Sequence, residues 1–232
     1  MFDRIAGVYD RMNAVMTAGL HVQWRRRAAD LAAVGPGSRV LDVATGTGDL
    51  ALELARRVAP GGAVTGVDFS ERMLELARAK AGAARRCDAA PAEAEVEVSF
   101  EAGNALALPY ADNVFDAATV GFGARNFSDL ERGLAEMTRV VRPGGRVVIL
   151  EITTPARPPL STFLDVWFDR IVPVLGRLAG DPDAYTYLPN SVRRFPLPEE
   201  LAAVMSRVGL GSISYRITAG GIIALHVGVV TP

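Results

Sequence analysis

The chain is short of several residue types, and each shortage narrows what it can do. A single cysteine, Cys87, stands among 232 residues. No internal disulfide can form and no cysteine cluster can hold a metal, which fits a reducing compartment. Cys87 lies in a polar, alanine-rich stretch and reads as a bystander thiol. The two histidines, His21 and His226, are far apart in sequence, so no metal-ligand spacing is present and no metal is expected. The net charge is −1, so no global field draws nucleic acid or an anionic membrane, and nucleic acid is not an expected partner. Lysine is almost missing: Lys80 is the one lysine among 25 basic residues, a bias that a GC-rich genome explains as well as a function does. No charge-free apolar run reaches roughly 18 residues and no secretory signal is visible, so the expectation is a cytoplasmic protein. What the chain has in plenty is apolar residues, 50% of the total, ample for the two-faced core of one α/β domain of this length.

The organising stretch is Val40-Leu41-Asp42-Val43-Ala44-Thr45-Gly46-Thr47-Gly48-Asp49. An apolar strand with one internal acid breaks into a turn with two glycines, and Leu50, Leu52, Leu54, Ala55 and Val58 follow at helix-face spacing. Glycines let a backbone bend tightly and approach a ligand, and a helix N-terminus offers N–H groups to it. A second strand, Ala63–Asp68, ends in an acid about 20 residues on, where a carboxylate can accept hydrogen bonds from a ribose diol. A helix cap or turn residue is the plainer reading of Asp68. Gly46-x-Gly48-x-x-Ala51 also satisfies the pattern used for NAD and FAD. Asp42, four residues before Gly46, pulls the other way: Asp-x-x-x-Gly-x-Gly resembles the first motif of class I S-adenosylmethionine (SAM)-dependent methyltransferases. The length also leaves little room for a second catalytic domain.

Taken in order, residues 1 to about 30 predict a helical leader with Phe2, Ile5, Tyr9, Met12 and Met16 near one face, interrupted at Gly19. Gly35-Pro36-Gly37 separates it from an alternation of strands and helices, which predicts a mostly parallel sheet covered on both faces. Helix is expected over Ser70–Ala81 with Ser70 as N-cap, then a mobile surface connection over Gly82–Glu95, then strands at Val96–Phe100 and Phe115–Val120. The loop Gly121-Phe122-Gly123-Ala124-Arg125-Asn126 follows the fourth strand at its carboxyl end, so Arg125 and Asn126 are site candidates by position. A helix over Asp129–Val141 leads through Pro143-Gly144-Gly145 to a fifth strand, Arg146–Ile152, in which Glu151 is an acid that should face the cleft or a partner. Residues 160–179 form an apolar helical region, and 181–198 a long loop or short helix. A helix near Pro198–Val208 and two strands joined through Ala219-Gly220-Gly221, hence antiparallel, close the chain.

Tyr9-Asp10-Arg11-Met12-Asn13, running on to Thr17, His21 and Trp24, together with Phe122–Asn126, Arg139–Arg146, Thr218–His226 and Asp42–Asp49, resembles the quinone-biosynthesis C-methyltransferases over nearly the whole chain. That family includes demethylmenaquinone methyltransferase and the enzyme that methylates the ubiquinone ring precursor. The resemblance implies one domain with a Rossmann-like, seven-stranded class I sheet ending in an antiparallel hairpin. It would comprise a helical leader and possible lid (1–34) and a core (35–232) with a cap-like insertion at 153–197. It implies SAM as cofactor, S-adenosylhomocysteine as its product, and a prenylated quinol as substrate, with the naphthoquinol favoured. Gly46, Thr47 and Gly48 would meet the methionine part of the cofactor, Asp68 the ribose, Phe69, Asn104 and Ala105 the adenine, and Gly121, where many members carry a serine, would offer only backbone. Arg125, Asn126 and Tyr9 would surround the quinol and a catalytic water. Peripheral contact with the inner face of the membrane or with other quinone-biosynthesis enzymes, and a homodimer, are left open.

The chemistry is methyl transfer from a sulfonium to a ring carbon, which becomes nucleophilic when a ring hydroxyl ionises. Arg125 suits a role beside that oxygen because it stays charged and forks around an oxygen or a water. Tyr9, a water, Glu151 and His226 compete for proton removal, His226 reading as structural. A methyltransferase acting on another natural product, and a dinucleotide-binding dehydrogenase or non-catalytic nucleotide-binding module, are the rival readings.

Overall fold

The computed structural model describes residues 17, 19–87, 96–155, 162 and 189–232, with the backbone only for 85–87. Seven strands make one sheet in the order β3-β2-β1-β4-β5-β7-β6. They are β1 Arg39–Val43, β2 Ala63–Asp68, β3 Glu97–Ala102, β4 Phe115–Gly121, β5 Val141–Ile152, β6 Leu210–Thr218 and β7 Ile223–Val230. β1 to β5 are parallel and β7 is antiparallel to both β5 and β6. The five described helices that matter here are α1 Leu20–Leu31, α2 Asp49–Val58, α3 Glu71–Cys87, α4 Leu130–Val140 and α5 Pro198–Arg207.

Strand alternation sorts the core into two layers. On β5, Val148 and Leu150 face one side with Val40, Val64 and Ala117, under α1, α2 and α3. Val147 and Ile149 face the other with Leu41, Ala118 and Val120, under Leu134 and Met137 of α4 and Leu201 and Met205 of α5. Each of these large side chains contributes about 1.5–3 kcal/mol by leaving water. The helices begin where local chemistry allows. Ser70 Oγ accepts from the Met73 N–H (3.2 Å) to start α3, as expected, and Asp129 accepts from the Arg132 N–H (3.0 Å) to start α4. In α2, Asp49 sits in the first turn and Arg56 and Arg57 in the last, matching the helix dipole.

Two boundaries differ from the sequence reading. The expected mobile connection from Gly82 is helix as far as Cys87, because Ala and Arg are strong helix formers even where periodicity fades; residues 88–95 lie outside the described residues. β5 starts at Val141 rather than Arg146, because Pro143-Gly144-Gly145 is an irregularity within the strand. Gly144 has φ +80°, and a Cβ on Gly145 would lie 2.5 Å from the Asp116 carbonyl. The apolar side chains Phe2, Met12 and Met16 of the leader and Phe163, Trp167 and Phe168 of the 160–179 region, the residues expected to cover a prenyl tail, lie outside the described residues, as do Tyr9 and the rest of residues 1–16.

The order of the sheet reverses direction between β1 and β4. Ligands in open α/β sheets bind at the carboxyl ends of strands beside such a switch point. A cleft of about 370 Å³ lies there. Its walls come from the segments after β1, β2, β3 and β4, and from Arg25 of α1.

Candidate active site

The first wall is the glycine loop. Gly46 (φ +56°) and Gly48 (φ +81°) both take the left-handed backbone that glycine adopts without strain. Their surroundings differ. A Cβ on Gly48 would press on Phe100 Cζ at 2.9 Å and Ala77 Cβ at 3.0 Å, whereas nothing lies within 4 Å of one on Gly46. Gly48 is therefore locked into the packing of α2, and Gly46 leaves open space above the backbone. Asp68, at the end of β2, fastens this loop: one carboxylate oxygen accepts from the Gly46 N–H (2.8 Å) and the other from the Ser70 N–H (2.9 Å). Its two oxygens are thus aimed from fixed positions, and it lines the cleft beside Phe69, whose ring is 90% exposed.

Asp42 lies in the cleft floor and is 1% exposed. Burial pushes its carboxyl up from 3.8 to about 6, against the hydroxyls of Thr119 and Thr45 that donate to it at 2.6 and 2.7 Å and the nearby Arg25 charge. Thr47, also buried, accepts at Oγ1 from Lys80 Nζ (2.8 Å). Lys80 also holds Asp49 (2.6 Å), whose other oxygen pairs with Arg25 at 3.0 Å. The third wall, after β3, brings Asn104 and Ala105 to the cleft. Asn104 Oδ1 accepts from the Leu106 N–H (2.9 Å), which folds that turn.

The fourth wall follows β4. Phe122 has φ +60°, and a Cβ on Gly123 would meet Ala44 Cβ at 2.5 Å, so this loop and the glycine loop pack directly together. A 3₁₀ turn, Ala124–Asn126, then puts Arg125 and Asn126 on different sides. Asn126 lines the cleft together with Gly121, while Arg125 is not among the lining residues. The Arg125 guanidinium Nη1 donates to both carboxylate oxygens of Glu151 (3.0 and 2.9 Å) and to the Phe122 carbonyl (2.6 Å). The side chains of this pair are 9% and 1% exposed. The acid that looked out of place in the fifth strand thus faces Arg125.

The sequence-predicted residues Gly46, Thr47, Gly48, Asp68, Phe69, Asn104, Ala105, Gly121 and Asn126 converge at this switch point, and all but Gly48 line the cleft. His226 does not. It is 1% exposed, its Nε2 lies 3.0 Å from the Pro198 carbonyl, it stacks on Tyr215, and burial lowers its pKa. Sequence reasoning missed Arg25, Asp49 and Phe122. Lys80, the single lysine, read as a bias of composition and not as a member of a network there. Among the described residues, no group of three or more His, Cys, Asp or Glu side chains is placed to hold a metal, and no helix is long and apolar enough to cross a membrane.

Solved structures share this architecture. A SAM-dependent methyltransferase from Thermotoga maritima matches with a TM-score of 0.65 at 19% identity, covering 98% of this chain and 97% of that one. The [4+2]-cyclase SpnF matches with 0.66 at 20% identity, covering 90% and 81%. At such identities the likeness fixes the fold alone, a class I methyltransferase fold that can host other chemistry. Sequence relationships go further. The model of the ubiE/COQ5 methyltransferase family matches residues 1–230. The demethylmenaquinone methyltransferase of Thermus thermophilus is 46% identical over 229 residues, 98% of this chain and 99% of that protein. That of Deinococcus radiodurans is also 46% identical, over 98% and 90%. The ubiquinone/menaquinone biosynthesis C-methyltransferase UbiE of Geobacter sulfurreducens is 41% identical, over 98% and 86%. Fold and relatives together define a SAM-dependent methyltransferase. The chain belongs to the ubiE/COQ5 methyltransferase family.

Proposed function

We propose that this chain methylates a ring carbon of a prenylated quinol, demethylmenaquinol, and so forms menaquinol. The observation that carries this reading is the end-to-end 46% identity to proteins named demethylmenaquinone methyltransferase, on a chain whose predicted cofactor residues, Gly48 excepted, line one cleft.

The cleft fits SAM. Asp68 offers carboxylate acceptors held in place by two backbone N–H groups, suited to a ribose diol. Phe69 lines the cleft with its ring in solvent, an apolar face for adenine, and Asn104 and Ala105 line the same cleft. The open space above Gly46 admits a ligand against the backbone, with Thr47 beside it. SAM supplies an electrophilic methyl group on a sulfonium. Asp42, from the floor, supplies negative potential for a cation.

For the acceptor, Asn126 is the amide side chain that the fourth loop brings to the cleft, beside Phe127 and Ser128, and we assign it to the quinol oxygen beside the reacting carbon. Arg125 stands immediately behind it. Clamped by Glu151, it fixes the turn, and its cation favours the ionised quinol from that position or through a water. Tyr9 belongs to this set by resemblance. Residues of the leader and of the 160–179 region would cover the prenyl tail. We read the chain as a cytoplasmic enzyme that touches the inner face of the membrane peripherally.

The test is an anaerobic assay with purified chain, SAM and short-tailed analogues of demethylmenaquinol and of the benzoquinol precursor, read by mass spectrometry. Methylation of the naphthoquinol in preference to the benzoquinol is expected. Preference for the benzoquinol would assign the chain to ubiquinone synthesis, a reading that relatives named for both quinones support. Methylation of neither would overturn both.

A further inference from the structure

Arg25 is the one basic side chain among the described residues lining the cleft, against three aspartates: Asp42, Asp49 and Asp68. It belongs to α1, outside the strand–helix repeat, yet its side chain is only 11% exposed. Three features hold it there. Asp49 Oδ2 pairs with Nη1 at 3.0 Å, the Phe122 ring lies 5.9 Å from the guanidinium carbon, and neighbouring Trp24 packs edge-on against Phe122 at 6.4 Å. Asp49 is shared with Lys80, which grips its other oxygen at 2.6 Å. The Arg25–Asp49–Lys80 cluster therefore carries one net positive charge, on the β1 side of the cleft. A guanidinium is a planar fork with five N–H donors, a shape that suits a carboxylate.

The role of Arg25 rests on the cofactor reading above. If the adenosine half lies by Asp68, Phe69 and Asn104, on the β2–β3 side, the methionine half extends toward the glycine loop and α1. That half ends in an α-carboxylate, which three aspartates would repel in a cleft lacking a cation. We propose that Arg25 binds the α-carboxylate of SAM, with Asp49 and Lys80 holding its guanidinium in register. The leader helix thereby contributes directly to cofactor recognition, and the Asp49 ion pair keeps the guanidinium oriented before the ligand arrives.

The test is calorimetric and needs no turnover. Binding of S-adenosylhomocysteine, SAM, decarboxylated SAM and 5′-methylthioadenosine is measured on the wild-type chain and on Arg25→Ala and Arg25→Lys, each checked for folding by circular dichroism. The wild type should bind decarboxylated SAM about tenfold to a hundredfold more weakly than SAM, the range for a charge-assisted hydrogen bond. Arg25→Ala should lose a similar factor for SAM and S-adenosylhomocysteine, yet bind decarboxylated SAM and 5′-methylthioadenosine as the wild type does. Arg25→Lys should fall between. Equal weakening of all four ligands would overturn the proposal and make Arg25 a fastening for α1. Should Arg25→Ala not fold, the wild-type comparison decides alone: equal affinity for SAM and decarboxylated SAM removes the carboxylate contact. Failure of the wild type to bind any of the four would instead sink the cofactor reading, and this one with it.

Discussion

Two loops face each other across the cleft and solve one problem differently. The segment after β1 and the segment after β4 both leave their strands through left-handed backbone, at Ala44 and Gly46 in one and at Phe122 in the other. Each is tied down by a carboxylate from another strand end. The first is tied by Asp68 through the Gly46 N–H, a bond that leaves the acid at the cleft surface. The second is tied by Glu151 through a buried ion pair with Arg125, which keeps both side chains out of the cleft lining, with the Arg125 cation behind it, and leaves Asn126 facing inward. One acid both braces its loop and stays available to a ligand; the other only braces. Cofactor binding should therefore depend on the first loop and acceptor chemistry on the second.

The largest effect should come from breaking the second brace. Glu151→Ala leaves a nearly buried Arg125 without its carboxylate, and removing one partner of such a pair costs roughly 3–5 kcal/mol. Urea unfolding should show that loss, and Glu151→Gln, which keeps an acceptor oxygen, should lose less. Equal and small losses would mean that the pair is dispensable to the turn.

Asp42, between the loops, gives a pH signature. Burial raises it from 3.8 to about 6 in the folded chain, so the folded state holds the proton more tightly than the unfolded state. The stability from this group is complete below pH about 4 and is lost as pH rises to about 6; that span corresponds to about 3 kcal/mol. Asp42→Asn should remove this slope and be the more stable protein at pH 8, at the expense of SAM affinity. The difference between the two unfolding free energies, followed from pH 4 to 8, isolates the group; a flat difference would show that Asp42 does not titrate in this range.

Asp68→Ala sharpens the comparison at a smaller scale. It should weaken S-adenosylhomocysteine about tenfold to a hundredfold, the equivalent of roughly 1.5–3 kcal/mol, in a chain that still folds. Unchanged affinity by calorimetry would reduce Asp68 to a brace like Glu151.

The same contrast explains what could be read in the sequence. The first loop was legible because its determinants are local: Asp42, the two glycines and the helix after them occupy one short run, and Asp68 ends the next strand. The mostly parallel sheet followed from alternation and the closing hairpin from Ala219-Gly220-Gly221, whereas the count of seven strands rested on the family resemblance and their order became visible only in the structure. Glu151 stood out as an acid among Val, Ile and Leu, but its partner, 26 residues upstream, could not be named, because that pairing exists only once β4 and β5 lie side by side. Arg25, Asp49 and Lys80 were hidden for the same reason. They sit on three different helices and meet only where the sheet brings α1, α2 and α3 together. The end of α3 was misjudged because the helical periodicity fades after Ala81, yet the Ala- and Arg-rich residues there continue the helix.

Asn126→Ala tests the division of labour most directly, since this side chain faces the cleft from the second loop while Arg125 and Glu151 hold the turn beneath it. Two numbers are needed from one preparation: the S-adenosylhomocysteine dissociation constant by calorimetry, and the single-turnover methylation rate of a demethylmenaquinol analogue at saturating SAM. The account predicts a dissociation constant within about twofold of wild type and a rate lowered about a hundredfold or more, the scale of losing one donor at a developing oxyanion. A parallel loss of affinity and rate, or a rate left at the wild-type value, would contradict it.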